Sequence, residues 1–369
     1  MLSDDVKKEK RKWKRWQKNL LIAGISVVSV LLLLVGAAWL YINHLLNKIN
    51  YTKAEDYTLS MEEVEQLEAT NPDYTPIGDD EDVSELPKLE ELEQEFEKNP
   101  PTIPEKMPDP NVKGNVVNIL LIGQDRRGEA RARSDSMILL TINKSKETFT
   151  LTSFMRDAYV QIPGYKPDKL NAAFQWGGFT LLNQTLWVNY GVRVDGNLEV
   201  DFNRFMSLID LLGGVDIELT QAEVDYLTGN GKKWSELKAG MNHLNGDQAL
   251  QYSRIRYIDT DYRRAERQRT VLFSLFNTYR SKSLPEMLVL LEDILPLVTT
   301  NMEKSDIWDL ARDVFPIISD ASISNKQIPA HGTFKGDLVV VRDNYKGWFQ
   351  YDIDFEANRK ILQEIFAEG

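Results

Sequence analysis

The sequence predicts an α/β fold, an α/β/α sandwich around a mixed central sheet, preceded by one N-terminal transmembrane helix and an acidic stalk. Largely apolar runs typical of buried strands occur at Val117–Gly123, Ser136–Ile142 and Thr148–Ser153. They are followed by stretches with apolar residues at helical spacing, at Gly178–Tyr190 and Phe202–Leu212. Strands and helices mixed at these intervals pack as layers around one sheet.

The first 42 residues predict a membrane anchor behind a basic tail, residues 1–19. Residues 20–42 carry no charged side chain, and about 23 residues at a rise of about 1.5 Å each can cross a bilayer as a helix. Basic flanks stay on the cytoplasmic side, so we expect a single-pass protein of the cell membrane with an extracellular C-terminal domain. A cleaved signal peptide is the alternative, with Gly36–Ala38 as its weak cleavage site.

Residues 43–115 predict an acidic stalk that contains several prolines. From residue 49 onwards, acidic side chains outnumber basic ones by about four to one. Such a segment buries little apolar surface, so we expect it to be extended and to hold the domain away from the membrane. Two short helices are predicted within it, at Met61–Glu68, where Ser60 and Glu63 have the spacing of a capping box, and at Pro87–Glu97.

Residues 116–369 form the predicted extracellular domain. Beyond the elements already named, it contains predicted strands at Val215–Leu219, Ile323–Ile328 and Leu338–Val341, and predicted helices at Arg263–Arg280, Pro285–Leu295, Asp306–Phe315 and from Phe355 onwards.

Composition excludes several classes of site. The chain has no cysteine, which rules out disulfides, thiol catalysis and cysteine metal sites. Its three histidines are far apart in sequence, which argues against a histidine zinc site. The formal net charge of −12 argues against nucleic acid as a partner. No nucleotide-binding loop, nucleophile elbow or zinc-protease motif occurs.

Charged residues gather where the predicted strands end, which is where ligand sites lie in open α/β sheets. Asp125 follows the first strand, Arg133 and Asp135 precede the second, and Arg156 and Asp157 follow the third. Asp125 and Asp135 could together hold one divalent cation, with phosphate oxygens completing its coordination shell. The structural alternative is that Asp135 caps a turn and Asp125 pairs with a nearby arginine.

A run of arginines in this acidic chain predicts an anion site. Arg254 and Arg256 are two apart and point the same way on an extended segment, whereas Arg264, Arg267 and Gln268 share one face of a helix. The planar guanidinium fork matches phosphate oxygens. The alternative is a solvated helix whose arginines pair with neighbouring carboxylates.

Seven spaced motifs resemble the LytR-CpsA-Psr family of cell-wall proteins. In chain order they are NILLIGQD, RSDSMILL, SFMRD, KLNAAFQWGG, FMSLIDLLGGVDI, LNGDQALQYSRIR and DYRRAERQ, over roughly residues 116–280. This chain departs from the family at Met155, where proline is usual, and at Tyr262 and Arg263, where a small residue is commoner. Arg263 and Arg269 lie off the inferred binding face, so we expect them to contact solvent or lipid headgroups.

The resemblance implies a membrane-anchored phosphotransferase of a Gram-positive-type envelope. Members move a glycopolymer, such as wall teichoic acid or capsule, from a polyprenyl-pyrophosphate carrier to the muramic acid 6-hydroxyl of peptidoglycan, and they hold the lipid tail in an apolar pocket. The implied Mg²⁺ ligands, with Mn²⁺ as a substitute, are Asp125 and Asp135. The residues expected around the pyrophosphate are Arg133, Arg156, Lys169, Arg254, Arg256, Arg264, Arg267 and Gln268. Those expected to act in catalysis are Arg156, Arg254, Arg256, Arg264 and, as a carboxylate near the acceptor hydroxyl, Asp261.

Two other functions fit the same residues. The site could hydrolyse polyprenyl pyrophosphate, which would make the protein a phosphatase. Alternatively, the protein could bind lipid-linked polymer without turnover, as an envelope scaffold. A DNA-binding regulator is disfavoured, because the predicted cytoplasmic tail of about 19 residues is too short for a helix-turn-helix domain.

Overall fold

The computed structural model describes two compact units, Met1–Lys48 and Ile49–Gly369. The described part of helix α1, in the first unit, covers residues 36–46. Most of the predicted anchor, and the whole basic tail, lie outside the described residues. Within the described part of the chain, no helix is both long and apolar enough to cross a bilayer. The described residues are 36–52, 58–78, 81–101, 106–125, 132–229, 231, 233–256, 258, 261–342 and 344–367.

The second unit mixes strands and helices along its whole length. In chain order its elements are β1 (Asn50–Tyr51), α2 (Met61–Ala69), β2 (Thr75–Pro76), α3 (Leu89–Lys98), β3 (Val116–Gln124), β4 (Ser134–Asn143), β5 (Thr148–Phe154), β6 (Tyr159–Val160), β7 (Asp168–Lys169), α4 (Leu170–Tyr190), β8 (Gly196–Asp201), α5 (Phe202–Leu212), β9 (Val215–Leu219), α6 (Gln221–Thr228), β10 (Gly240–Leu244), α7 (Gly246–Ser253), α8 (Asp261–Arg280), α9 (Leu284–Ile294), β11 (Thr299–Thr300), α10 (Lys304–Val314), β12 (Ser322–Ile328), β13 (Lys335–Arg342), β14 (Tyr345–Tyr351) and α11 (Phe355–Phe366).

The central sheet has seven strands in the order β1-β11-β8-β3-β4-β5-β12. It is mixed, since β3 pairs with β8 and β5 with β12 in parallel, whereas β4 is antiparallel to both β3 and β5. Strands β3, β4 and β5, which the apolar runs predict, are consecutive neighbours between β8 and β12. The short strand β8 was not predicted from the sequence, because its six residues carry little apolar periodicity.

Helices cover both faces of this sheet, which confirms the predicted sandwich. Side chains alternate along a strand, so Leu120 and Ile122 of β3 face one side, and Ile119 faces the other. The first side packs against α4 and α11 in one apolar cluster. The second packs in another cluster with Phe276 of α8 and with Leu310 of α10.

The structure corrects the prediction of an extended stalk over residues 43–115. Leu59 and Val64 are each 6% exposed and belong to the core cluster that contains α4. The Leu59 amide donates to the Trp176 carbonyl at 2.8 Å, and Arg342 donates to the carbonyls of Glu68 and Ala69. The acidic average of the segment hides a few apolar positions, and their burial holds the segment on the domain.

The two helices predicted in this segment are present as α2 and α3. At the start of α2, the Ser60 hydroxyl accepts from the Glu63 amide, and the Glu63 carboxylate accepts from the Ser60 amide at 2.8 Å. This is the predicted capping box. Nearby β2 adds a short edge to the β13–β14 hairpin.

We expect Val64→Ala to lower the free energy of unfolding by about 1–3 kcal/mol, because it removes two buried methyl groups and leaves a cavity. Urea denaturation followed by circular dichroism measures this. Val289→Ala is the matched control, since Val289 is 62% exposed and its loss should be nearly neutral. An equal, small effect of both substitutions would mean that the segment does not pack on the core.

Candidate active site

A cavity of about 870 Å³ lies between the sheet and helices α5, α7 and α8. Its interior is apolar and its mouth is charged, so it suits a ligand with an apolar body and an anionic head. The apolar lining includes Leu121, Ile138, Leu198, Val200, Phe205, Leu208, Leu250, Leu272 and Leu275. The charged and amide lining includes Asp73, Asp125, Arg133, Asp135, Arg156, Arg254, Arg256, Arg264 and Gln268.

Arg156 is held at the mouth by carboxylates on three sides. Its Nη1 lies 2.9 Å from Asp135 Oδ1 and 3.6 Å from Asp73 Oδ1, and its Nε donates to Asp157 Oδ2 at 3.2 Å. The Arg156 side chain is 13% exposed, so these charge-assisted bonds act in a partly dry environment. The guanidinium is therefore oriented before any ligand arrives.

Asp135 also joins the other arginines of the mouth. Arg264 donates to the Asp135 backbone carbonyl at 2.8 Å and lies 3.8 Å from its carboxylate. Arg256 Nη2 lies 3.5 Å from the same carboxylate. Gln268, one turn after Arg264 on α8, lines the cavity beside it. The structure therefore brings Asp135, Arg156, Arg256, Arg264 and Gln268 together at one cavity.

Asp125 and Arg254 form a second pair across the mouth. Arg254 Nη2 lies 3.5 Å from Asp125 Oδ2, and its guanidinium lies 4.7 Å above the centre of the Phe202 ring. The stacking on Phe202 restrains the side chain where α7 ends. Arg254 is 38% exposed, so it can reach a ligand phosphate at the opening.

Arg133 completes the mouth through residues that the sequence analysis did not single out as site residues. Its Nη1 donates to Asn171 Oδ1 at 3.0 Å, and its Nη2 is paired with the Glu68 carboxylate. Burial by itself lowers the pKa of Arg133, but the carboxylate of Glu68 raises it above its usual value. Glu68 and Asp73 come from the predicted stalk, so no strand-end pattern marked them as site residues.

Comparison with known proteins now identifies the family. Residues 85–363 match the LytR_cpsA_psr family, which is more than half of the chain. The chain belongs to the LytR-CpsA-Psr family. The match begins within the predicted stalk, in agreement with the packing of this region on the domain. Glu68 and Asp73 precede it.

Named relatives of this family member are teichoic acid transferases. The polyisoprenyl-teichoic acid–peptidoglycan teichoic acid transferase TagU of Bacillus mycoides is 32% identical over 259 residues, which is 69% of this chain and 79% of TagU. The TagT enzyme of the same description from Bacillus subtilis is 30% identical over 68% of this chain and 75% of TagT.

Solved TagT structures share the fold of this family member. One of TagT bound to LIIa-WTA superimposes with a TM-score of 0.58 at 25% identity, over 72% of this chain and 96% of that one. The crystal structure of B. subtilis TagT gives a TM-score of 0.55, also at 25% identity, with 72% and 97% coverage. Both findings agree with the mixed-sheet sandwich described above.

Lys169 is not placed where the family resemblance suggested. Its side chain is 1% exposed, does not line the cavity and lies 3.3 Å from Asp157 Oδ1. The ammonium group also lies 4.5 Å from the centre of the Phe349 ring. The structure therefore gives Lys169 a supporting position behind Arg156 instead of contact with a ligand at the mouth.

Two other arginines are also turned away from the mouth. Arg267 is buried, and its Nε donates to Glu223 Oε1 at 2.7 Å, so the expectation that it surrounds the pyrophosphate is wrong for this structure. Arg269 was expected in solvent but is 7% exposed, and it donates to the Ser153 hydroxyl at 2.6 Å. Arg267 and Gln268 are adjacent on the helix and point in different directions, so helical spacing placed Arg264 and Gln268 at the cavity correctly but not Arg267.

The side chain of Asp261 lies outside the described structure, and its catalytic role stays a prediction.

Asp157 keeps its negative charge although it is buried. Burial by itself raises the pKa of Asp157, but the cations Arg156, Lys169 and Arg264 hold it at about 2. Removing this carboxylate would leave Lys169 as a buried cation without its partner.

We therefore expect Asp157→Asn to lower the free energy of unfolding by about 3–5 kcal/mol. Because the folded pKa is below the value of about 3.9 in the unfolded chain, this stabilisation is complete above pH 4 and declines as the pH falls towards 2. Urea denaturation at pH 3, 5 and 7 measures it. Asp352→Asn, at an exposed pair with Lys335, should cost less than about 1 kcal/mol. A small Asp157→Asn effect at pH 7 would contradict the prediction.

Proposed function

We propose that this protein transfers a glycopolymer from a polyprenyl-pyrophosphate carrier to the muramic acid 6-hydroxyl of peptidoglycan. The acceptor oxygen forms a bond to the phosphorus that carries the polymer, the bond from that phosphorus to the lipid phosphate breaks, and the hydroxyl proton is released. The products are a phosphodiester and a polyprenyl phosphate. The names of TagU and TagT, which specify a polyisoprenyl donor and peptidoglycan, support this reaction.

One observation carries the proposal: five arginines and three aspartates line the charged mouth of an apolar cavity. The apolar interior suits the hydrocarbon tail of the lipid carrier, and the charged mouth suits its pyrophosphate. The point where interior and mouth meet therefore fits the point where tail and pyrophosphate are joined. The cavity volume of about 870 Å³ is large enough for several isoprene units. The arginines at the mouth are Arg133, Arg156, Arg254, Arg256 and Arg264.

These arginines act in the proposed reaction through charge and position. Negative charge grows on the leaving lipid phosphate as its bond breaks, and guanidinium groups fixed beforehand stabilise that charge without reorganising. Arg156 and Arg264 are both anchored on Asp135, so they approach the phosphates from one side, while Arg254 approaches from Asp125. This arrangement orients the phosphorus for the acceptor oxygen.

The donor set at the mouth fits Mg²⁺ or Mn²⁺. Asp125 and Asp135 both line the cavity and offer hard carboxylate oxygens. Among the described residues no group of three or more metal-binding side chains occurs, which agrees with a cation held by two carboxylates and the ligand's own phosphates. When bound, the cation would neutralise pyrophosphate charge. We assign its protein ligands as Asp125 and Asp135.

The proposal extends to the acceptor and to the location of the protein. Asp261, at the start of α8, is proposed as the carboxylate near the acceptor hydroxyl. Residues 20–42 are proposed as an uncleaved membrane anchor with the basic tail in the cytoplasm. The catalytic domain then lies outside the cell, on the side where peptidoglycan is found.

We expect Arg156→Ala to reduce transfer of polymer to peptidoglycan by at least about 100-fold, because it removes a fixed donor to the phosphates. Transfer of a labelled lipid-linked polymer to peptidoglycan measures this, and circular dichroism checks the fold. The control is Arg263→Ala on α8, since Arg263 is exposed, pairs with Glu266 and does not line the cavity. Full transfer by a folded Arg156→Ala protein would exclude the proposed role of Arg156 in holding the phosphates.

The double substitution Asp125→Ala plus Asp135→Ala should abolish transfer, and chelation of divalent cations should do the same until Mg²⁺ is restored. The product distinguishes the alternatives to transfer. Release of lipid monophosphate with no product on peptidoglycan, even with acceptor present, would indicate a phosphatase. Undiminished cellular function of the folded double variant would indicate a scaffold that binds polymer without turnover.

A further inference from the structure

An aromatic platform lies on the surface beside the N-terminal end of α8. We use this name for Tyr262, His331, Phe334 and Trp348. The Tyr262 and Phe334 rings stack with centres 5.8 Å apart and planes 16° apart, and the His331 ring meets Tyr262 at 62° with centres 5.9 Å apart. His331 is exposed, and Trp348 is 41% exposed. Exposed aromatic surface of this kind marks a binding site more often than scattered single residues do.

Gly336 lies against the edges of two of these rings. It is exposed, and a Cβ atom placed on it would lie 3.0 Å from Trp348 Cζ2 and 3.5 Å from Phe334 Cε2. Gly336 and Trp348 lie on adjacent strands of the β13–β14 hairpin, where Trp348 pairs with Leu338 two residues further on. A side chain at position 336 would therefore displace the Trp348 ring, so glycine allows this ring to lie where it does.

Two hydrogen bonds link the platform to the chain segment that carries Arg156. The Tyr262 hydroxyl donates to the Pro329 carbonyl at 3.1 Å, just after the end of β12. On the neighbouring strand, the Met155 amide donates to the Ile328 carbonyl at 2.8 Å, and Arg156 follows it. Adjacent strands are about 4.8 Å apart, so we expect Tyr262 to lie within one or two strand spacings of Arg156.

The chemistry of the platform favours a carbohydrate. The C–H faces of a pyranose ring are weakly positive and apolar, and they pack on the negative faces of aromatic rings, while sugar hydroxyls bond to polar groups at the rim. The rim here carries both signs of charge, including the exposed Lys335–Asp352 pair at 2.8 Å. A basic rim would suit anionic lipid or nucleic acid, whereas a mixed rim suits an uncharged chain of sugars.

We propose that the aromatic platform binds the glycan strand of the acceptor and presents its hydroxyl to the phosphates held by Arg156 and Arg264. This inference rests on the proposed transfer function and names the surface on which the acceptor lies. Trp348, which lies against Gly336, holds sugar units some distance from the reacting hydroxyl. Tyr262, two residues before Arg264 on α8, joins this surface to the arginines of the mouth.

Binding of glycan can be measured apart from the reaction. The full-length chain is titrated with soluble, uncrosslinked peptidoglycan glycan strands, without donor. Trp348→Ala should weaken binding about tenfold, because it removes one stacking face, and Gly336→Ala should weaken it severalfold by displacing the Trp348 ring. Trp348→Phe, which keeps a ring, should restore most of the affinity. The melting temperature of each variant reports its fold.

Trp308→Ala is the matched control, because Trp308 on α10 is also an exposed tryptophan, at 44%, and lies outside the platform. Its glycan affinity should equal that of the unsubstituted protein. Equal affinity of the Trp348→Ala protein, or an equal loss in the Trp308→Ala protein, would overturn the proposal. If the Trp348→Ala protein keeps its glycan binding but loses binding to vesicles of anionic lipid, the proposal is overturned in favour of a membrane contact.

A transfer assay separates this inference from the function on which it rests. The Trp348→Ala protein should show a KM for acceptor strands raised about tenfold, with little change in the KM for the lipid-linked donor. If the unsubstituted protein binds glycan through Trp348 but transfers no polymer, the proposed function fails and the platform stands. If it transfers polymer and Trp348→Ala changes neither glycan affinity nor the acceptor KM, only the platform fails.

Discussion

The Asp135 carboxylate holds three arginines from distant parts of the chain at one place. Arg156 follows β5, Arg256 follows α7, and Arg264 belongs to α8, yet all three lie within 4 Å of Asp135 Oδ1. Guanidinium groups repel one another, so such a cluster is stable in the absence of a ligand only when carboxylates lie between them. The charged mouth of the cavity depends on this balance, because a phosphate ligand can replace part of the carboxylate charge.

The carboxylates around Arg156 also come from unequal parts of the chain. Asp135 and Asp157 belong to the central sheet and its connections, whereas Asp73 comes from the segment before the family match. That segment also supplies Glu68 to Arg133 and lines the cavity with Leu67, Asn71 and Pro72. A part of the chain expected to act as a spacer is instead a wall of the candidate site. Its apolar contacts through Val64 keep these carboxylates in position.

A supporting layer lies behind the mouth. Lys169 and Asp157 form a buried ion pair beneath Arg156, and Arg267 and Glu223 form another beneath α8. Buried pairs of this type contribute little net stability, but removal of either partner leaves an uncompensated charge. We expect them to help hold the arginines of the mouth in one geometry. The aromatic platform adds a second surface at the same edge of the sheet, where β12 ends beside β5.

The sequence by itself determined the strands β3, β4 and β5 of the sheet, most of the helices and the strand ends at which charged residues gather. It also determined that Asp125, Asp135, Arg156, Arg254, Arg256 and Arg264 belong together, since their spacing and their motifs agree. Apolar periodicity is a local property of the chain, and a strand end is marked where that periodicity stops. Arg264 and Gln268 followed from the helical repeat.

Only the tertiary structure decided which members of these patterns face the cavity. Helical spacing puts Arg267 on the same face of α8 as Arg264 and Gln268. Its side chain instead turns inward to bond Glu223 on α6, which is 44 residues away in the chain. Lys169 is buried because Asp157, in the turn after β5, and Phe349, on β14, converge on it. The acidic segment folds against the domain because its few apolar side chains find partners on α4. Such pairings depend on residues far apart in sequence, and no local pattern records them.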